Sequence, residues 1–211
     1  MKIWNLPTKI KALSKQPGFV ILQTALNNIP FRPIRIGWFS WLCYEGVPDL
    51  DDSILRGPGE IRKGTPDDIE GLVECRDVRD EFVTRFEAGD SCVVGVVNGR
   101  IVGYEWFSMN SDEIRRPWGY EIKMPPDSIF AYDAFILPEY RVIGLWLKFK
   151  LFLAGLMRES GKSKIVTAID YGNWLSFRTH LRFGFRQIKS VLAVHALGRR
   201  WFFERPIGVP Q

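Results

Sequence analysis

Asn98-Gly99 lies between two runs, Ser91 to Val97 and Arg100 to Ser108, that are both rich in valine, isoleucine and aromatic residues. A two-residue hairpin turn needs positive φ at both central positions, and Asn-Gly supplies it, so the spacing predicts a β-hairpin. Around that hairpin the chain alternates strand and helix signals. Glu60 to Lys63 reads as a short strand, and Thr65-Pro66-Asp67-Asp68 supplies an N-cap, a proline at the first helical position and carboxylates where the helix dipole favours them. Helical stretches then run through Ile69, Leu72 and Val73 and through Val78, Phe82, Val83 and Phe86, stopping at Gly89. Ser128 to Leu137 is a strand bounded by Pro138, and Gly144 to Ser160 is a helix apolar on most sides. Lys164 to Ile169 is a strand, Gly172 to Phe183 a helix, and Phe185 to Leu197 a strand or a pair of strands before Arg199-Arg200. Each strand-helix-strand passage makes a crossover, which predicts an α/β (mixed α+β) fold with a central mixed sheet flanked by helices.

The polar passage Asp49-Leu50-Asp51-Asp52 and the turn-rich Arg56-Gly57-Pro58-Gly59 separate an extension, residues 1–58, from a core domain, residues 59–211. No acidic residue precedes Glu45, while Lys2, Lys9, Lys11, Lys15, Arg32 and Arg35 lie among Trp4, Phe19, Phe31, Trp38 and Trp41. Such a segment either packs on its own domain or rests on another protein or an anionic membrane surface. A net charge of +5 over 211 residues is too modest to mark a nucleic-acid binder. Cys43, Cys75 and Cys92 are odd in number and widely spaced, which argues against a disulfide framework and a thiolate metal site and favours a reducing cytoplasm. The N-terminus lacks the apolar region of a secretory signal. The two histidines, His180 and His195, have neither metal-ligand spacing nor a carboxylate cluster. There is no Gly-x-Ser-x-Gly elbow and no Walker loop.

Two passages carry chemistry. In Tyr132 to Trp146 a strand passes through a tight loop into a helix, where unpaired N–H groups and the helix dipole create an anion site. Gly144 permits close approach of a phosphate and Arg141 adds a charge, although one glycine before a buried helix is also commonplace. In Asn173 to Phe185, Asn173, Ser176 and His180 fall at spacings of three and four along one helical face, and Gly184 ends the helix. Asn173 alone reads equally as an N-cap, and His180 as a structural histidine. The segment from Met109 to Asp127, polar and rich in proline, reads as a loop that shapes or covers a site.

Together the two passages resemble the GNAT superfamily of acyl-CoA N-acyltransferases, in element order from about Glu60 to Leu197. The family's phosphate loop runs from an arginine or glutamine, through a glycine three residues on, to a glycine or alanine two further; Arg141 and Gly144 fit it. Trp146 stands where the small residue is usual, and Val142 replaces a common glycine. Asn173, Ser176, His180, Arg182, Gly184 and Phe185 keep the intervals of the second motif, with His180 in place of its frequent tyrosine.

The resemblance implies acetyl-CoA as acyl-donor cosubstrate, with Phe135, Ile136, Leu137, Arg141, Val142, Ile143, Gly144, Leu145, Trp146, Asn173 and Ser176 contacting it. It implies direct attack of a primary amine, from a small molecule, an amino sugar or a protein, on the thioester. His180 would protonate the leaving thiolate, and Asp133 or Glu105, or a water chain, would take the amine's proton. The alternative is a GNAT-like fold that has lost catalysis and serves as a binding or assembly module at the membrane face.

Overall fold

The computed structural model describes residues 18–29, 34–46, 57–110, 114–115 and 117–206. In chain order they form α1 (Gly18–Asn27), β1 (Ile34–Glu45), β2 (Glu60–Lys63), α2 (Ile69–Cys75), α3 (Arg79–Glu87), β3 (Ser91–Val97), β4 (Arg100–Ser108), β5 (Ile114–Arg115) and β6 (Ile122–Lys123). There follow β7 (Ser128–Ile136), α4 (Leu145–Glu159), β8 (Lys164–Asp170), α5 (Trp174–Phe183), β9 (Arg186–Ala196) and β10 (Arg199–Pro206). Among the described residues, no helix is long and apolar enough to cross a membrane. The chain divides into two compact units: residues 1–42, 115–122 and 168–211, and residues 43–114 and 123–167.

The second unit is built on a mixed sheet ordered β2-β3-β4-β7-β8, antiparallel except for the parallel pair β7–β8. Asn98 and Gly99 carry φ of 51° and 78°, so the β3–β4 hairpin turns as its dipeptide dictates. Strand alternation sends Tyr104 and Trp106 to one face, where they join Leu72, Phe82 and Cys92 in a core under α2 and α3. Gly95 lets α4 come close to the sheet, because a Cβ there would lie 3.2 Å from both Leu145 and Phe149. Burying Leu145, Phe149 and Leu153 fully contributes about 1.5–3 kcal/mol each. The entrance to α2 is held as its sequence suggests: Pro66 opens a short 3-10 turn, and the Asp68 carboxylate accepts from the Thr65 N–H at 2.9 Å. Arg62 then clamps Asp68 through two bonds of 2.7 Å, and that bonding holds the carboxyl below its usual range against the opposing effect of burial.

α4 is less uniformly apolar than it reads, since Lys148 and Lys150 are both buried. The Lys148 ammonium donates to the carbonyls of Gly57, Pro58 and Gly59 at 2.6, 3.2 and 3.0 Å. The Lys150 ammonium is bonded to Glu105 on β4.

In the first unit β10, β9, β1 and the last residues of β8 lie side by side. β9 and β10 form a hairpin through Leu197 and Gly198, at φ of 51° and 73°, the same turn geometry without the Asn-Gly signature. β1 is a strand of twelve residues whose Phe39, Trp41 and Leu42 are buried. Trp118, from the segment read as a covering loop, lies flat on Gly37, where a Cβ would fall 2.2 Å from the indole. These units cut across the division expected at residue 58, because residues 34–42 of the basic aromatic stretch group with residues 168–211. Of its cations, Arg35 lies 5.3 Å from the Trp118 ring; Lys2, Lys9, Lys11, Lys15 and Arg32 lie outside the described residues.

Candidate functional site

β7 pairs with β8 only briefly: Ser128, Ile129 and Phe130 are matched to Lys164, Ile165 and Val166, and the ladder ends there. An irregularity lies on the other edge of β7. Trp106 faces Tyr132 and Glu105 faces Ala134, so Asp133 is one residue too many, a β-bulge with φ of 47°. A bulge bends its strand and increases the local twist, and this one lies beyond Phe130, the last residue of β7 matched to β8.

Beyond the bulge the backbone groups of β7 can be assigned by alternation. The Leu137 N–H donates to the Val102 carbonyl of β4 at 2.9 Å, so the N–H and C=O of Ile136 point to the opposite, open edge. The Ile136 carbonyl accepts from Arg141 Nε at 3.1 Å, as that direction requires. Ala134, two residues earlier, shares this edge and is exposed. Of the three strand residues expected to bind the donor, Leu137 therefore has its N–H already committed, and the donors facing the opening are Ile136 and Ala134.

Downstream, Pro138–Ile143 forms a 3-10 turn and Gly144, at φ 79°, turns the chain into α4. Only glycine adopts that φ without strain, and a Cβ at this position would meet nothing within 4 Å, so the space above Gly144 is open. No side chain caps α4 at Gly144, which leaves the first-turn amides without an intrahelical acceptor. Arg141 and Val142 are exposed and Ile143 is half-buried, whereas Leu145 is fully buried and belongs to the core. Trp146 is half-buried with its ring 5.1 Å from Lys150 Nζ one turn along α4, so the indole packs back on its own helix.

The two carboxylates expected to act as base are both held in ion pairs. Glu105 is buried against Lys150, and burial raises its pKa while the ammonium pulls it down. It faces α4, because strand alternation puts residue 105 on the face opposite Tyr104. Asp133 is held by two guanidinium groups, with Arg76 at 2.8 and 2.9 Å and Arg85 on its second oxygen. Arg85 in turn spans the rings of Trp106 and Tyr132, each at 5.3 Å. A carboxylate so engaged serves to hold the bulge, and it does so against the cost of a left-handed backbone, which Asp tolerates better than most residues. Arg76 and Arg85 carry no motif and become visible only once α2, α3 and β7 are packed together.

In the first unit, Asn173 caps α5: its Oδ1 accepts from the Ser176 N–H at 3.2 Å. His180 is buried edge-on against Phe185, and its Nδ1–H donates to the Ser176 carbonyl at 2.8 Å with Ser176 Oγ at 3.4 Å. That bond assigns the Nδ1–H tautomer, in which Nε2 is the unprotonated ring nitrogen.

No protein-family model matches the sequence, and neither does any curated protein. Solved structures do. A functionally unknown conserved protein from Staphylococcus epidermidis aligns at a TM-score of 0.54 and 13% identity, over 82% of this chain and 66% of that one. A GNAT-family acetyltransferase structure from Novosphingobium aromaticivorans aligns at 0.54 and 14%, over 77% and 66%. A GCN5-related glucosamine N-acetyltransferase region of a fungal multi-domain β-N-acetylglucosaminidase aligns at 0.55 and 16%, over 83% of this chain and 23% of that one. The likeness is one of fold: the chain has the GNAT fold, and it spans under two thirds of these three proteins' own lengths.

Proposed function

We propose that the protein is an acyl-CoA-dependent N-acyltransferase, with acetyl-CoA as donor and a primary amine as acceptor. The reading rests on one observation: the β7–β8 ladder ends at Phe130, and β7 runs on past the Asp133 bulge, with the amides of Ala134 and Ile136 on its open edge, to the uncapped start of α4 at Gly144. An extended pantetheine arm fits such an edge, because it offers the amide donors and acceptors of a strand. The diphosphate would lie against the turn from Arg141 to Trp146, where first-turn amides and the helix dipole favour an anion. The Trp146 indole, packed toward Lys150, does not fill the space above Gly144.

In the reaction the amine nitrogen attacks the thioester carbonyl, the C–S bond breaks, and the amide product forms. A backbone N–H of the open β7 edge would stabilise the oxyanion. From its interval in the sequence, His180 is the candidate to protonate the thiolate, once Nε2, bare in the Nδ1–H tautomer, has taken up through water the proton that the amine sheds. With Asp133 and Glu105 held in ion pairs, the amine's proton leaves through water.

The test is release of coenzyme A thiol from acetyl-CoA over a panel of primary amines, beside calorimetric titration with acetyl-CoA. Turnover with at least one amine is expected, and His180→Phe should lower it by roughly 100-fold with little change in coenzyme affinity. Absence of acetyl-CoA binding would reject the reading; binding without turnover on any amine would favour a binding module.

A further inference from the structure

The first unit contains a cavity of about 570 Å³, within the range of small-molecule sites and separate in its residues from the open β7 edge. Its walls are aromatic. Trp38 is stacked on Tyr171 at 4.2 Å and 3° between planes, and Phe19 buttresses both rings edge-on at 5.2 and 5.6 Å. Trp174 and Phe177 of α5 supply a second pair at 5.7 Å, and Trp174 remains 59% exposed. Four of the neutral polar side chains lining the cavity are bonded in pairs: Gln187 Nε2 donates to Ser40 Oγ at 2.8 Å, and the Trp38 indole N–H to Ser190 Oγ.

Two charges line the cavity, Asp170 at the end of β8 and Arg205, which lies opposite Ser190 on the β9–β10 ladder. Asp170 accepts the Trp118 indole N–H at 3.3 Å, a neutral donor. Among the described residues, neither Asp170 nor Arg205 has an ion-pair partner. One carboxylate and one guanidinium, both exposed and neither ion-paired, in a cavity walled by preassembled rings, complement a ligand that carries both charges on an apolar body. A single cation would meet Arg205 as a like charge, and a single anion would meet Asp170.

We infer that this cavity binds a small zwitterion with an aromatic or bulky apolar side chain, of the α-amino acid type, with its ammonium at Asp170, its carboxylate at Arg205 and its side chain among Trp38, Trp174 and Phe177. The inference stands apart from acyl transfer, and its test needs no acyl-CoA, so the two readings fail separately.

The full chain is titrated with L-phenylalanine, with phenethylamine, which lacks the carboxylate, and with 3-phenylpropionate, which lacks the ammonium. Intrinsic tryptophan fluorescence and calorimetry report binding. L-Phenylalanine should saturate, and each one-charge analogue should bind roughly tenfold more weakly or worse, the scale of one charge-assisted hydrogen bond. Asp170→Asn should bring phenylalanine down to the level of phenylpropionate, and Arg205→Gln down to that of phenethylamine, with circular dichroism of both variants unchanged. Equal affinity for all three compounds, indifference to both substitutions, or no saturation by phenylalanine would overturn the inference.

Discussion

Lys150→Ala should cost about 3–5 kcal/mol of unfolding free energy, because it strands the buried Glu105 carboxylate without its counter-charge. Both side chains are essentially inaccessible, at 0% and 3% exposure, so water cannot take the place of the ammonium. The pair is not itself a large source of stability, since desolvating two ions offsets most of their attraction. Replacing both, as Glu105→Leu with Lys150→Met, should therefore recover most of the loss, measured by urea unfolding at neutral pH. Burial alone raises the Glu105 pKa, and removing Lys150 removes the effect that opposes it. A carboxyl raised above its unfolded value gives its full stability below that value and loses it as pH rises. The deficit of Lys150→Ala should accordingly shrink as pH falls toward about 4. A deficit independent of pH, or a double variant as unstable as the single one, would contradict this assignment.

Asp133→Ala should cost about 2–3 kcal/mol, less than the buried pair because its partners retain some solvent: Asp133 and Arg85 are each 19% exposed and Arg76 34%. Two contributions add. Arg76 and Arg85 are left with Glu81, itself 55% exposed, as their shared counter-charge, and alanine tolerates the left-handed φ at 133 less well than aspartate. Because the bulge sets the course of β7 just before its open edge, the loss should extend to function: acetyl-CoA affinity should fall more in Asp133→Ala than in Arg62→Ala, whose ion pair lies at the α2 entrance. Stability and affinity are read by urea unfolding and calorimetry on the same preparations. Affinity unchanged in a destabilised Asp133→Ala would show that the bulge does not shape the donor site.

Residue patterns disclose the second unit and, in the first, α5 and β9, but not β1. The β3–β4 hairpin, the strand ending at Pro138 and the helix from Gly144 to Ser160 each carry a local signal, and all form within a residue or two of their expected bounds. β1 carries none of these marks. Buried on both faces over most of its length, it lacks the alternation that announces a half-buried strand, and its basic neighbours make it read as an arm. The β9–β10 turn is equally quiet, since Leu197 occupies a positive-φ position that asparagine or glycine usually advertises.

At the candidate site the glycine is legible and the carboxylates are not. Gly144 has one conformational reason to be where it is, and that reason is local. Glu105 and Asp133 read as strand carboxylates free for acid-base work because their partners, Lys150, Arg76 and Arg85, lie 45, 57 and 48 residues away. Only packing reveals that one is neutralised under α4 and the other pins a bulge. The bulge itself has no glycine to announce it; the aspartate sustains the backbone through its charge.

The most direct measurement is amide hydrogen exchange, residue by residue, with and without saturating acetyl-CoA. If the open edge of β7 holds the donor, exchange at Ala134 and Ile136 should slow by roughly tenfold or more, while Leu137, already bonded to Val102, should change little. Protection confined to residues outside 134–146, or none at all at saturation, would contradict the account.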